Sequence, residues 1–147
     1  MKQLITTVAF LLVTFFSFAQ KPEIYSPSGI ALNGYDVVSF YTESKAIRGA
    51  DAFSFKWKDA TWLFSSQQHL DSFKQSPEKY EPAYGGYCAY GISRGYKAPT
   101  QIDTWTIVNN KLFFNYNQKV KELWNKNQST FIDSATVKWP FIKSDKF

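Results

Sequence analysis

Three aromatic residues at alternating positions place the strongest constraint on the fold of this chain. Phe53, Phe55 and Trp57 alternate with polar residues, and a period of two is typical of a strand with one buried face. A turn at residues 59–60 and a second apolar run at residues 61–64 follow at once. The sequence therefore predicts an antiparallel β-hairpin in this region.

A second hairpin is predicted further along the chain. Residues 105–108 and 111–116 are rich in β-branched and aromatic side chains, and Asn109-Asn110 lies between them. Asparagine tolerates positive φ, so this pair suits a two-residue turn. A helix is expected to follow over residues 118–126, with its apolar side chains on one face.

Short helices are predicted between the hairpins. Asp36 is a candidate N-cap for a short helix at residues 37–41. Ser65 begins another predicted helix, in which Gln68 completes a capping box, and Pro77 suits the first position of a third. Two antiparallel hairpins interleaved with short helices predict a small, single α+β domain.

The N-terminal segment is typical of a secretory signal peptide. Lys2 precedes an apolar run over residues 4–18, and Ala19 is the small residue expected at a cleavage site. We expect cleavage near Ala19, export to the periplasm or the medium, a flexible lead-in over residues 20–30, and one domain over residues 31–147. No later segment is apolar for about 20 residues, so we expect no stable membrane span after processing.

Charge argues against a nucleic-acid partner. The chain has a formal net charge of +5 at pH 7, but its lysines are scattered and its only arginines are Arg48 and Arg94. Nucleic-acid-binding proteins usually concentrate Arg and Lys on one element. The excess charge is therefore interpreted as a solvated surface.

The single cysteine is the most informative residue for function. Cys88 cannot form an internal disulfide, so it is a buried structural thiol, a reactive thiol, a metal ligand or a partner in an intermolecular bond. Gly85 and Gly86 precede it and would let a ligand or a second backbone approach closely. Tyr84 and Tyr87 frame it with amphipathic rings. A helix starting at Cys88 would lower the pKa of its thiol through aligned amides.

The single histidine allows two interpretations. His69 lies four residues after Ser65 on a predicted helix, where it is either a surface or capping group or one ligand of a metal site. The segment at residues 91–95 matches the G-x-S-x-G pattern of serine hydrolases around Ser93. That mechanism needs a histidine later in the chain, and His69 comes earlier, so the sequence does not indicate a hydrolase.

Several spaced motifs form a distinctive set. They are Asn33-Gly34-Tyr35-Asp36-Val37, Thr61-Trp62-Leu63-Phe64-Ser65, Ser76-Pro77-Glu78-Lys79-Tyr80, Tyr84-Gly85-Gly86-Tyr87-Cys88-Ala89 and Trp105-Thr106-Ile107-Val108. Together these motifs resemble the YHS-domain proteins, and most closely their exported bacterial branch of YHS domain-containing (seleno)proteins. The similarity extends over residues 31–140.

This resemblance implies metal handling. The YHS domain is related to small cysteine-rich modules proposed to bind heavy metals, and it occurs beside copper-transporting ATPases. Members with that role show F-C-S-x-x-C after the second strand, where this chain has Ser65 and His69 at the two cysteine positions. The selenoprotein branch implies selenocysteine in some relatives at the position of Cys88, which favours a chemical role for that residue.

The leading hypothesis is an exported metal-handling protein. Cys88 would be the principal ligand and His69 the second, with Asp36, Tyr35 and residues 84–87 in support. A soft thiolate together with an imidazole favours copper before zinc.

Two alternatives remain from the sequence. The first is a thiol or peroxide redox enzyme, in which Cys88 would be oxidised to a sulfenate and resolved by an external thiol; its partner would be a small thiol or oxidant. The second is a non-catalytic binding module that uses the aromatic-rich surface, with Cys88 packed inside.

Overall fold

Two β-hairpins and six helices build the part of the chain that the computed structural model describes, residues 21–144. The predicted signal peptide and its cleavage site lie outside these residues. The elements are α1 (Ser39–Thr42), β1 (Ala50–Trp57), β2 (Ala60–Phe64), α2 (Gln67–Gln75), α3 (Pro77–Tyr80), α4 (Ala89–Ser93), β3 (Thr106–Val108), β4 (Lys111–Phe113), α5 (Gln118–Asn125) and α6 (Gln128–Ile142). Short 3-10 turns lie at Pro27–Gly29, Ala31–Gly34, Ala83–Gly86 and Ile102–Thr104. The predicted α+β class is confirmed.

The first hairpin has the predicted alternation. Phe53, Phe55 and Trp57 are half-buried, and β1 pairs with β2 in antiparallel register, with Phe55 opposite Trp62. The turn residues are Lys58 and Asp59, both at positive φ, rather than residues 59–60 as predicted. Two consecutive left-handed residues match the right-handed twist of the strands, and this requirement places the turn one residue earlier.

Phe73 of α2 is the centre of the first core cluster. Its ring lies 4.9 Å from the Trp62 ring centroid and 5.1 Å from that of Phe64, both on β2. Trp57 meets it edge-on at 5.6 Å. Tilted and edge-to-face aromatic pairs add to the stabilisation from apolar burial, so this cluster fixes α2 against the hairpin.

The second hairpin also follows the prediction. β3 and β4 pair in antiparallel register, and Asn109 and Asn110 form the turn with φ values of 50° and 59°. The strands are shorter than predicted, because residues 114–116 leave the pairing after Phe113.

The N-cap of α2 differs from the prediction. Ser66 caps this helix, and its Oγ accepts a hydrogen bond from the His69 backbone N–H at 3.2 Å. Ser65, the predicted cap, instead donates its hydroxyl to Asp36 at 2.6 Å. The Ser65 backbone N–H also donates to Asp36, at 2.8 Å, so both donors of Ser65 are bound to the buried carboxylate and the helix is capped one residue later.

Helix α6, the longest within residues 21–144, was not predicted from the sequence. It packs against α4 and α5 around Ala135, which is fully buried, and Trp124 of α5 is buried in the same cluster. Only residues 135 and 142 of this helix are buried, so its apolar side chains do not form the single stripe that would indicate a helix in the sequence.

The segment before the first helix belongs to the core. Ile24 is fully buried, and the Tyr25 backbone N–H donates to the Gly85 carbonyl at 2.8 Å. These contacts attach part of the predicted lead-in to the domain. Within residues 21–144, no helix has the length and apolar character needed to cross a bilayer.

Candidate functional site

A buried carboxylate is the centre of the candidate site. Asp36 has no exposed surface, and its Oδ1 accepts hydrogen bonds from the backbone N–H groups of Val38 at 2.9 Å and Ser39 at 3.4 Å. Asp36 was predicted to be the N-cap of a helix at residues 37–41, but α1 begins at Ser39 and its N-cap residue is Val38, so Asp36 instead binds the backbone of the turn that leads into α1. The other oxygen, Oδ2, is left for groups outside α1.

The second oxygen of Asp36 holds three groups from the β2–α2 junction. Oδ2 accepts from the Ser65 backbone N–H at 2.8 Å and from the Ser65 hydroxyl at 2.6 Å. It also lies 2.6 Å from Nδ1 of His69. A buried carboxylate is stable only when its lone pairs are occupied, and five groups on two segments far apart in the sequence meet that requirement here.

His69 faces two environments. Its Nδ1 contacts the buried Asp36, whereas its Nε2 lies 3.4 Å from the Thr42 hydroxyl and 3.5 Å from a carboxylate oxygen of Glu43. The His69 side chain is 12% exposed and that of Glu43 is 44% exposed. The Nε2 atom therefore lies on the solvent-exposed side of the site.

The Asp36 contact sets the tautomer of the neutral imidazole. Because a carboxylate only accepts, Nδ1 of His69 carries the hydrogen and Nε2 keeps its lone pair. This lone pair can bind a metal ion or accept a proton, with the Glu43 carboxylate beside it. Nε2 and Glu43 are two donors; within residues 21–144 no group of three or more His, Cys, Asp or Glu side chains could hold a metal.

Cys88 lies in a separate environment. It is the N-cap of α4 and is 2% exposed; its Sγ accepts from the Gly91 backbone N–H at 3.4 Å and lies 3.7 Å from Oδ1 of Asn115. The predicted helix start is confirmed, but the predicted lowering of the thiol pKa is wrong. Burial raises the pKa of Cys88, and the backbone hydrogen bonds only partly oppose this effect.

The glycines before Cys88 admit a second backbone. Gly85 has φ of +63°, and a Cβ at this position would lie 1.9 Å from the Glu23 carbonyl oxygen. Gly86 also has positive φ, and so does the non-glycine residue Tyr84. The sequence predicted that a ligand or a second backbone would approach here, and the structure shows the N-terminal segment in that place.

The remaining predicted residues have structural contacts. Tyr87 donates its hydroxyl to the Pro22 carbonyl at 2.8 Å. The Tyr35 ring lies under the Arg48 guanidinium, 4.5 Å from its centroid. Ser93 lies inside α4 and donates to the Tyr90 carbonyl at 2.6 Å, rather than standing at the strand-to-helix turn that a G-x-S-x-G nucleophile needs.

The structure thus joins two of the predicted site residues and separates the third. Asp36 and His69 are in direct contact, whereas the hydrogen-bond partners of Cys88 and of His69 have no residue in common. Glu43 was missed, because nothing near it in the sequence indicates that it faces His69. Ser65 was assigned to a helix cap; its position four residues before His69 was the available signal.

The fold and the site define a small α+β domain with a carboxylate-oriented imidazole at its surface. Comparison with protein-family models, with curated proteins and with solved structures finds no match in any of the three.

Proposed function

We propose that this chain is an exported metal-handling domain whose cargo ion is bound by Nε2 of His69 and the carboxylate of Glu43. The observation that carries the proposal is the 2.6 Å contact between Oδ2 of Asp36 and Nδ1 of His69. The resemblance to exported YHS-domain proteins supports the same function, and the signal peptide expected over residues 1–19 supports export.

Asp36 has the position of an outer-shell partner of a metal ligand. Histidines that bind metals usually donate their other ring N–H to a carboxylate or carbonyl, which fixes the ring and increases the basicity of the ligating nitrogen. The fully buried Asp36 supplies such a partner for His69. Its own hydrogen bonds to Ser65 hold it in place.

The number of donors favours a cargo site over a structural one. Structural zinc sites enclose the ion with four protein ligands, whereas His69 and Glu43 supply two. Water or a partner protein would complete the coordination, so the ion could be loaded and released. A site with only two protein ligands therefore suits an ion that is passed on to another molecule.

Imidazole and carboxylate donors point to a divalent ion. Among first-row divalent metals, Cu²⁺ binds such ligands most tightly, and in particular more tightly than Zn²⁺, so the expected order of copper before zinc is retained in the proposal. A cuprous ion would need the soft thiolate of Cys88.

Cys88 as the principal ligand stays a prediction. Its thiol is buried, and burial raises its pKa, whereas metal binding requires the thiolate. The same two observations count against the redox alternative, which also needs an accessible thiolate.

Metal titration of matched variants tests the proposal. The mature chain without a histidine tag is titrated calorimetrically with Cu²⁺ and with Zn²⁺, for the wild type and for His69→Ala, Glu43→Gln and Cys88→Ser. We expect one equivalent of Cu²⁺ in the wild type, loss of binding in His69→Ala, weaker binding in Glu43→Gln and no change in Cys88→Ser. Glu122→Gln, at an exposed position on α5, is the control.

Two results would overturn the proposal. One is the absence of saturable binding of either ion to the wild type. The other is binding that survives in His69→Ala but is lost in Cys88→Ser, which would move the site to the thiol.

A further inference from the structure

A cavity of about 350 Å³ lies on the face formed by the β1–β2 turn, the Ala83–Gly86 turn, β4 and α6. Sites for small ligands usually have volumes of about 300–1,000 Å³. None of its lining residues belongs to the site around His69. The cavity is therefore separate from the proposed metal site.

Aromatic rings form one wall of this cavity. Tyr84 is central, with ring centroids 5.9 Å from Phe113 and 6.0 Å from Trp139. The Tyr84 hydroxyl donates to the Ile132 carbonyl at 3.2 Å, so a hydrogen bond fixes the far end of this side chain. This wall is preformed and apolar, which suits the body of an aromatic or branched aliphatic ligand.

The backbone at Tyr84 is strained. Its φ of +55° lies in the left-handed region, which costs a non-glycine residue about 1 kcal/mol or more. The ring of this residue lies in the wall beside Phe113 of β4 and Trp139 of α6. Left-handed non-glycine residues concentrate at ligand clamps, and here the strained residue lines a cavity.

The rim of the cavity has an excess of positive charge. Lys58 is paired with Glu23 at 2.9 Å and with Glu81 at 3.0 Å, so these three charges largely satisfy one another. Lys111 and Lys143 also line the cavity. Within residues 21–144, neither has a carboxylate within 4.0 Å.

Lys111 lacks a strong acceptor. The only hydrogen bond that its ammonium group makes within residues 21–144 is a 3.4 Å contact with the Glu78 carbonyl. Burial lowers the pKa of Lys111, Glu81 opposes this effect, and the nearby charge of Lys58 adds to it. A half-buried ammonium group with these neighbours would gain stability from an added anion.

We propose that this cavity binds a small organic anion with an aromatic or branched apolar body and a carboxylate group. The carboxylate pairs with the ammonium groups of Lys111 and Lys143. The body packs against Tyr84, Phe113 and Trp139. This activity goes beyond metal handling and uses none of its residues.

Titration with a defined probe tests this site. The mature chain, labelled with ¹⁵N, is titrated with 3-phenylpropionate and followed by NMR. Acetate and the neutral 3-phenylpropionamide are titrated in parallel. We expect saturable shifts at Tyr84, Phe113 and Trp139 with 3-phenylpropionate, and binding weaker by about tenfold with the amide, since a charge-assisted hydrogen bond contributes roughly that factor.

Matched variants separate charge from shape. Lys111→Gln is expected to weaken 3-phenylpropionate binding by about tenfold, whereas Lys56→Gln, at an exposed position on β1, leaves it unchanged. Thr136→Phe keeps every charge but fills the cavity from α6 and is expected to abolish binding. The NMR spectrum of each variant shows whether the fold is retained. In the wild type, bound 3-phenylpropionate is expected to raise the pKa of Lys111.

Three outcomes would overturn the proposal. The first is no saturable shift at millimolar 3-phenylpropionate. The second is equal affinity for acetate, which would mean that the apolar wall takes no part. The third is unchanged affinity in both Lys111→Gln and Thr136→Phe, which would place the ligand elsewhere.

Discussion

Oδ2 of Asp36 lies 2.6 Å from Nδ1 of His69, and this contact joins the N-terminal end of the domain to helix α2. The carboxylate is fully buried and also accepts hydrogen bonds from Val38, Ser39 and Ser65. A single residue therefore orients the imidazole and connects α1 with the β2–α2 junction. Changes at Asp36 should affect both stability and the site.

Replacing Asp36 with asparagine should weaken both functions of the carboxylate. The amide nitrogen of asparagine donates and cannot accept the hydrogen bonds that Oδ2 of Asp36 now accepts. We therefore expect a loss of about 2–4 kcal/mol in the free energy of unfolding. If His69 binds metal as proposed, Cu²⁺ affinity should fall about 10–100-fold. Urea denaturation and calorimetric titration measure the two effects.

Asp71→Asn is the matched control, because Asp71 is exposed and accepts one hydrogen bond from Gln67 within α2. This variant should change stability by less than about 0.5 kcal/mol. An Asp36→Asn protein as stable as the wild type would show that the buried carboxylate does not hold the two segments together.

The thiol of Cys88 should resist alkylation in the folded protein. Alkylation needs a thiolate that the reagent can reach. Burial raises the pKa of this thiol and leaves the residue 2% exposed, so the folded protein offers neither. Iodoacetamide labelling at pH 8, followed by mass spectrometry, should be far slower for the native protein than for the same protein in denaturant. Labelling at the rate of a free thiol would contradict the buried position.

The raised pKa of Cys88 also predicts the sign of a pH effect. The folded thiol keeps its proton to higher pH than the unfolded thiol, whose pKa is about 8.5. Its contribution to stability is present below that pH and is lost as pH rises through the folded pKa. Cys88→Ser should therefore show a shallower loss of stability above about pH 8.5 than the wild type.

Tyr41 should titrate at unusually high pH. Burial raises its pKa to about 12, and its hydroxyl oxygen accepts a hydrogen bond from the Leu112 backbone N–H at 3.1 Å. Tyr41→Phe leaves that N–H without its acceptor and should cost about 1–2 kcal/mol. Thermal unfolding measures the loss, and Tyr96→Phe, at an exposed position, is the control.

The pH dependence of Tyr41 follows from the same shift. Unfolded tyrosine ionises near pH 10, whereas folded Tyr41 ionises at about 12. The stabilisation is complete below about pH 10 and is lost as pH rises to 12. Wild-type stability should fall more steeply than that of Tyr41→Phe across this window, and parallel curves would contradict the shift.

Gly85→Ala should detach the N-terminal segment. The new Cβ would lie 1.9 Å from the Glu23 carbonyl oxygen at a φ of +63°, and the clash and backbone strain together should cost about 2–4 kcal/mol. Gly29→Ala adds a Cβ at a φ of +80° with nothing within 4 Å, so it should cost only the strain, about 1–2 kcal/mol.

Limited proteolysis distinguishes these two glycine variants. Cleavage near residues 21–25 should be faster in Gly85→Ala than in Gly29→Ala, because only the former displaces the backbone that packs on Gly85. Equal cleavage rates would show that the close approach does not hold the segment.

Local patterns in the sequence were sufficient for both hairpins and for the helix at residues 118–125. Each depends on neighbours within a few positions, such as the alternation of Phe53, Phe55 and Trp57 or the turn at Asn109-Asn110. The exact boundaries depended on more distant groups: Ser65 donates its hydroxyl and its backbone N–H to Asp36, and Ser66 caps α2 instead.

The candidate site and the second core cluster were decided by the tertiary structure. Asp36 and His69 are 33 residues apart, and Glu43, the residue after α1, lies 3.5 Å from His69 of α2 only in the folded chain. Helix α6 is stabilised by contact with α4 and α5 rather than by an amphipathic pattern of its own. The sequence determined which residues could do chemistry, and the packing of distant segments decided that the imidazole meets a carboxylate while the thiol is buried elsewhere.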